Sequence, residues 1–164
     1  MAHEAAKAVF EEIRARAYRV SVASDEVSNN CYFKGIELMQ RLEALGYRVR
    51  GRLGETYWQP LIFGMEILSL WPKDITVTHF FVEVEIDGVW RALDPSLQPG
   101  MEWHGFKVCE FDEGGVCFPI TKLYTDEESR EYQATWADEM LVADYFERAG
   151  PALRALNNWF ARNE

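Results

Sequence analysis

The dipeptide Asp87-Gly88 constrains this chain more than any other feature. It separates Thr78-His79-Phe80-Phe81-Val82-Glu83-Val84-Glu85-Ile86 from Val89-Trp90-Arg91-Ala92-Leu93-Asp94-Pro95. A two-residue hairpin loop needs positive φ at both central positions, and Asp-Gly is among the few pairs that supply it. The turn sets a register in which Ile86 faces Val89, Phe81 faces Asp94 and His79 faces Ser96. His79 and Asp94 then lie diagonally on one face of the hairpin. Such neighbours are about 7–8 Å apart at Cα, within reach of an imidazole and a short carboxylate.

The chain has 164 residues, of which 48% are hydrophobic and 14% aromatic, enough to bury the core of one globular domain spanning residues 1–164. A net charge of −10 disfavours nucleic acid and anionic membrane surfaces as partners. The run Arg48-Val49-Arg50-Gly51-Arg52 is the local exception, and its alternation reads as one face of a strand. Met1 to Lys7 has no basic segment followed by an apolar one, so no secretory signal is expected. Tyr57 to Trp71 is too short and too polar to span a membrane. Three cysteines without an export signal predict free thiols in a reducing compartment, the cytoplasm.

Helical spacing predicts one helix from about Glu4 to Tyr18 and a second from about Cys31 to Leu45, with N-cap residues in Ser28-Asn29-Asn30 before it and Gly46 after its end. Tyr47 to Leu53 reads as a strand. Residues 55–74 fit either a helix over 61–70 or irregular apolar chain. Beyond the hairpin, Phe106 to Phe111 and Val116 to Ile120 read as two strands about Glu113-Gly114-Gly115. Thr125-Asp126-Glu127-Glu128 has the form of a capping box, opening a long helix to about Ala149. Gly150-Pro151 is expected to break it before a last short helix carrying Leu153, Leu156, Trp159 and Phe160. The expected class is α+β: N-terminal helices with a cysteine helix packed on an antiparallel sheet, then C-terminal helices over about 125–162.

Cys31 is the best candidate nucleophile. A thiol reacts as thiolate, and the first turn of a helix stabilises an anion through unpaired N–H groups. A thiol pKa of ~8.5 falls to roughly 3.5–7.5 where a protonated histidine also faces it. His79 would take the thiol proton and return it to a leaving group, and Asp94 would orient the ring. Each residue also has a plain structural reading: a small buried side chain, a satisfied strand histidine, and a turn cap before Pro95.

The segment Asn30-Cys31-Tyr32-Phe33-Lys34-Gly35-Ile36-Glu37-Leu38-Met39, with Leu45-Gly46-Tyr47-Arg48-Val49-Arg50, resembles the cysteine segment of the transglutaminase-like superfamily. His79-Phe80-Phe81-Val82-Glu83-Val84 and Gly88-Val89-Trp90-Arg91-Ala92-Leu93-Asp94-Pro95-Ser96 resemble its histidine and aspartate segments, in the family's order. The likeness covers about residues 29–98. It implies a papain-like fold and a Cys31-His79-Asp94 catalytic triad. It also implies acyl transfer at an amide or peptide bond through an acyl-thioester, resolved by water (amidase or peptidase) or by an amine (acyltransferase). The substrate would be a peptide, a protein or a small amide. Tyr32, Tyr57 and Trp58 would line the substrate cleft, with Trp71 nearby. Where the family often has a small residue before the cysteine, this chain has Ser28-Asn29-Asn30, whose side chains are candidate oxyanion donors.

No cofactor and no metal are expected, since no second cluster of hard-oxygen ligands stands out. The assumed register pairs Cys109 with Ile120 and Asp112 with Cys117, which keeps the two sulfurs apart. His104 reads as a loop residue and His3 as a loose terminal one. The acidic helix 126–147 reads as a solvated face over a Trp136/Met140/Phe146 stripe. Two rival readings remain: a non-catalytic binding or scaffold domain of the same fold, and a metal module of Cys109, Cys117 and His104.

Overall fold

The chain is described over residues 2–164 by a computed structural model. Helices α1 (Ala2–Arg14) and α2 (Cys31–Ala44) come first, then strand β1 (Val49–Thr56) and two single-turn helices, α3 (Pro60–Phe63) and α4 (Met65–Leu68). Strands β2 (Val77–Ile86) and β3 (Val89–Leu93) follow, then a 3-10 turn (Met101–His104), strand β4 (Lys122–Leu123), and helices α5 (Asp126–Thr135) and α6 (Glu139–Arg162). The four strands form one sheet in the order β3-β2-β1-β4, every neighbour antiparallel. The molecule is therefore a mixed helix and sheet structure with a wholly antiparallel sheet. No described helix is long and apolar enough to cross a membrane.

The hairpin forms in the expected register, from Ile86↔Val89 to Val82↔Leu93, with φ of 53° at Asp87 and 77° at Gly88. On its other side β2 pairs with β1, setting Gly54 opposite His79 and Arg50 opposite Glu83. The basic run lies along β1 as read. Arg50 meets Glu83 at 2.6 Å and stacks 4.3 Å over the Trp90 ring, and Arg48 meets Glu85 at 2.6 Å.

Helix α2 begins where its cap predicts: Asn30 Oδ1 accepts the Phe33 N–H at 3.0 Å. It packs on β1 and β2 through glycine. A methyl at Gly35 would stand 2.6 Å from Phe80 Cδ1, and one at Gly51 2.5 Å from Phe80 Cζ. The Phe80 ring thus occupies the space of two missing side chains and holds helix and sheet at close range. Phe10, Ile13, Leu38, Leu42, Val82, Leu93, Leu156 and Phe160 make the centre of the core.

Four expectations need correction. Helix α1 stops at Arg14; a turn over 15–16 leads into irregular chain over 17–20, where the Tyr18 N–H donates to Gln98 Oε1. Residues 106–111 and 116–120 are not strands; a single bridge, Glu110↔Gly114, closes the turn between them and does not reach the second run. Their apolar side chains Phe106, Cys109, Phe111, Cys117 and Phe118 are buried without a ladder, and the fourth strand forms at Lys122–Leu123. The C-terminal helix breaks at Trp136–Asp138, not at Pro151. Asp138 caps a new helix there by accepting the Met140 and Leu141 N–H groups. Beyond it Ala149, Ala152, Leu153, Leu156 and Phe160 bury a continuous apolar side, which outweighs the hydrogen bond Pro151 removes. Finally, 55–74 holds two single turns joined at Gly64, φ 75°, rather than one helix.

Candidate active site

Cys31 is the first residue of α2, so helix geometry leaves its own N–H and that of Tyr32 without an intrahelical acceptor. Its half-buried thiol lines the main cavity of the molecule. The groups that act most on its charge are the His79 imidazole and the Phe80 backbone N–H. His79 is 2% exposed, its ring wedged between Phe81 and Phe118 at centroid distances of 6.4 and 4.8 Å. Its Nε2 lies 2.6 Å from Asp94 Oδ2, which leaves Nδ1 as the nitrogen for the thiol.

Asp94 is fully buried, and each of its oxygens takes two bonds. Oδ2 accepts from His79 Nε2 and from the Cys117 N–H at 2.7 Å; Oδ1 accepts from the Ser96 N–H at 3.0 Å and the Ser96 hydroxyl at 2.5 Å. The Ser96 pair is the two-residues-on turn that an aspartate before proline favours. The Cys117 N–H comes from the irregular chain after Gly115.

This packing sets the charges. Burial opposes the ionised form of all three groups. For His79 the charge and hydrogen bond of Asp94 overcome it and lift the ring to about 10. For Asp94, burial is overcome by the His79 charge, with Ser96 and the Cys117 N–H helping, and its pKa falls. For Cys31, burial is overcome by the hydrogen bond and charge of His79 and by the Phe80 N–H, and its pKa also falls. A thiolate–imidazolium pair is therefore the favoured state between the lowered thiol pKa and about 10.

Two residues with no place in the sequence reading belong to the site. Tyr18 is buried beside Cys31 in the cavity lining; burial and the Cys31 charge hold its hydroxyl well above the usual pKa, so it stays neutral. Lys34, 1% exposed, donates through Nζ to the carbonyls of Arg14 at 3.3 Å, Arg16 at 2.5 Å and Ser96 at 2.9 Å. It ties the end of α1 and the Asp94 loop to the cysteine helix, and burial lowers its pKa to about 7. Its signal was present: Lys34 shares the helical side of Leu38 and Leu42, where a lysine needs buried acceptors.

The cavity measures about 470 Å³. Tyr32 and Trp58 line it, as expected of them, and so does Trp71. Tyr57 is not among the lining residues and stays 45% exposed. The Trp58 indole N–H is buried in the wall without a hydrogen-bond partner. Asn30 and Ser28 are not free oxyanion donors. Asn30 Oδ1 caps α2 and its Nδ2 donates to Ser21 Oγ, while the Ser28 hydroxyl donates to the Arg19 carbonyl. The opposite wall comes from the C-terminal helices through Tyr132, Trp136, Tyr145 and Phe146. Met140 takes no part in that stripe and is 82% exposed.

The remaining candidates fall elsewhere. Cys109 and Cys117, expected apart, have their sulfurs 3.5 Å from one another as free thiols, because the paired strands that separated them do not form. The metal module does not assemble. His104 packs on Trp159 at 5.5 Å, and the group beside the two sulfurs is Asp94, whose oxygens already accept four hydrogen bonds. His3 is tied down, bonded to Asp112 at 3.1 Å against Phe111. Compared with protein-family models, curated proteins and solved structures, the chain matches none of them.

Proposed function

We propose that this chain is a cysteine-dependent acyl-transfer enzyme of transglutaminase-like type, with Cys31 as nucleophile, His79 as acid and base, and Asp94 as the group that steadies the ring. The observation that carries the reading is the juxtaposition of a helix-leading thiol, open to a cavity, with an imidazole bonded on its far nitrogen to a fully buried carboxylate. A carboxylate held by four donors is expensive to bury unless something uses its charge.

The thiol proton passes to His79 Nδ1, and the thiolate sulfur attacks the carbonyl carbon of an amide in the cavity. The carbonyl π electrons move to oxygen. The unpaired N–H groups of Cys31 and Tyr32 at the start of α2 would hold that oxyanion. The tetrahedral adduct collapses, the C–N bond breaks, and the His79 imidazolium protonates the departing amine. Water or a second amine then attacks the thioester carbonyl while His79 takes its proton, and the sulfur leaves as thiolate.

The test is covalent capture. An acyl-activated probe should add one acyl mass to the native protein, mapped to the peptide holding Cys31, and none to Cys31→Ala or His79→Ala. Label retained by Cys31→Ala overturns the assignment. A protein that binds amides in the cavity but leaves Cys31 unmodified by both probe and iodoacetamide is the binding domain instead.

A further inference from the structure

Granting that reading, we infer that the cavity beside Cys31 selects substrates through an uncharged, apolar acyl group, aromatic or medium-chain. The cavity wall is largely aromatic: Trp58 and Trp71 come from the chain between β1 and β2, and Tyr132, Trp136, Tyr145 and Phe146 from the C-terminal segment, with Trp71 meeting Tyr145 at 6.5 Å. These rings brace one another edge to face, Trp58 on Trp71 at 5.8 Å, Trp136 on Tyr145 at 5.1 Å and on Phe146 at 6.2 Å. The wall is therefore shaped before any ligand enters.

Its polar handles are mostly spent. The Tyr132 hydroxyl bonds Thr78 Oγ1 at 2.7 Å, and the Trp71 indole N–H donates to the Ile75 carbonyl at 2.8 Å. No lysine or arginine lines the cavity among the described residues, and the one carboxylate in its lining, Glu26, accepts the Val22 N–H at 2.6 Å. An anionic acyl group would lose its hydration and find no cation; a cationic one would find a carboxylate already engaged. The polar groups that remain in the lining, the Gln133 amide and the Tyr145 hydroxyl among them, carry no charge. At about 470 Å³ the space exceeds what an acetyl group fills and matches a ring on a short chain. The C-terminal helices, outside the segment that resembles a known family, supply four of the six rings.

The experiment compares aminomethylcoumarin amides carrying phenylpropionyl, acetyl, succinyl or aminobutyryl groups. Phenylpropionyl should exceed the other three in kcat/KM by roughly 30-fold, the value expected for burying a phenyl ring. Trp136→Ala should cut the phenylpropionyl-to-acetyl ratio by about tenfold. In parallel, phenylpropionamide is titrated into Cys31→Ala with tryptophan fluorescence as readout, and should bind tighter than succinamate. Turnover with no acyl preference, or with a preference for the charged groups, overturns the inference and leaves the acyl-transfer reading standing. Binding of phenylpropionamide without turnover of any amide by the native protein overturns the acyl-transfer reading and keeps the apolar ligand class. Neither turnover nor binding overturns both.

Discussion

Replacing Asp94 with asparagine keeps the size of the side chain and removes its charge. Each oxygen of Asp94 accepts from two donors, so an NH2 group on either side must face them. Turned toward Ser96, the amide leaves the Ser96 N–H unpartnered; turned toward His79, it leaves the Cys117 N–H unpartnered. One orphaned buried N–H costs about 1–3 kcal/mol, and losing the charge on the remaining bonds brings the total to roughly 3–5 kcal/mol. The effect has a pH signature. His79 is raised from 6.5 to about 10, so its contribution to stability is complete below the unfolded value and is lost as pH rises toward 10. That window carries at most roughly 5 kcal/mol. Asp94→Asn removes the cause of the rise, and burial alone then pulls the ring down. The stability difference between the native carboxylate and the Asp94→Asn variant should narrow toward pH 10 and keep growing as pH falls through 6.5, until Asp94 itself takes up a proton. Urea unfolding of both, in a Cys31→Ala background to silence the thiol, reads it directly. A difference under about 1 kcal/mol at pH 6.5, or one that does not change with pH, refutes the buried-pair account.

Iodoacetamide below pH 7 should label Cys31 well before the buried Cys109 and before Cys117, whose pKa burial pushes up; equal slow rates by peptide mass mapping contradict this. Lys34→Met strands three carbonyls and should cost about 3 kcal/mol or more in urea unfolding; an unchanged midpoint would show that the tie is idle. Gly35→Ala drives a methyl into Phe80 at 2.6 Å and should cost about 1–3 kcal/mol, relieved by Phe80→Leu in a double-mutant cycle.

The parts legible in the sequence were those whose partners are close along the chain. Asp87-Gly88 forms its turn from its own φ preferences, and that turn carries the register bringing His79 and Asp94 together. Asn30 and Thr125 begin their helices by bonding N–H groups three residues on. Residues 106–120 show the opposite. They read as two strands about Glu113-Gly114-Gly115, but apolar runs flanking a glycine turn report which side chains are buried, not whether another edge is free to pair. Here burial came without pairing, and the Cys117 N–H was left for Asp94. Pro151 failed as a breaker for a related reason: apolar burial along α6 outweighs one missing bond, while Asp138 stops and restarts the chain where no such burial holds it.

The order of the thiol, imidazole and carboxylate segments, the turn between the last two, and the cap that puts Cys31 at a helix tip were decided by the sequence, because each depends on bonds spanning a few residues. The depth of Asp94, the tie made by Lys34, the placing of Tyr18 beside Cys31 and the aromatic wall brought by α5 and α6 were decided only in three dimensions. Those contacts join residues far apart in the chain. They form when a shared core excludes water, and no local pattern states which distant side chain will fill the space.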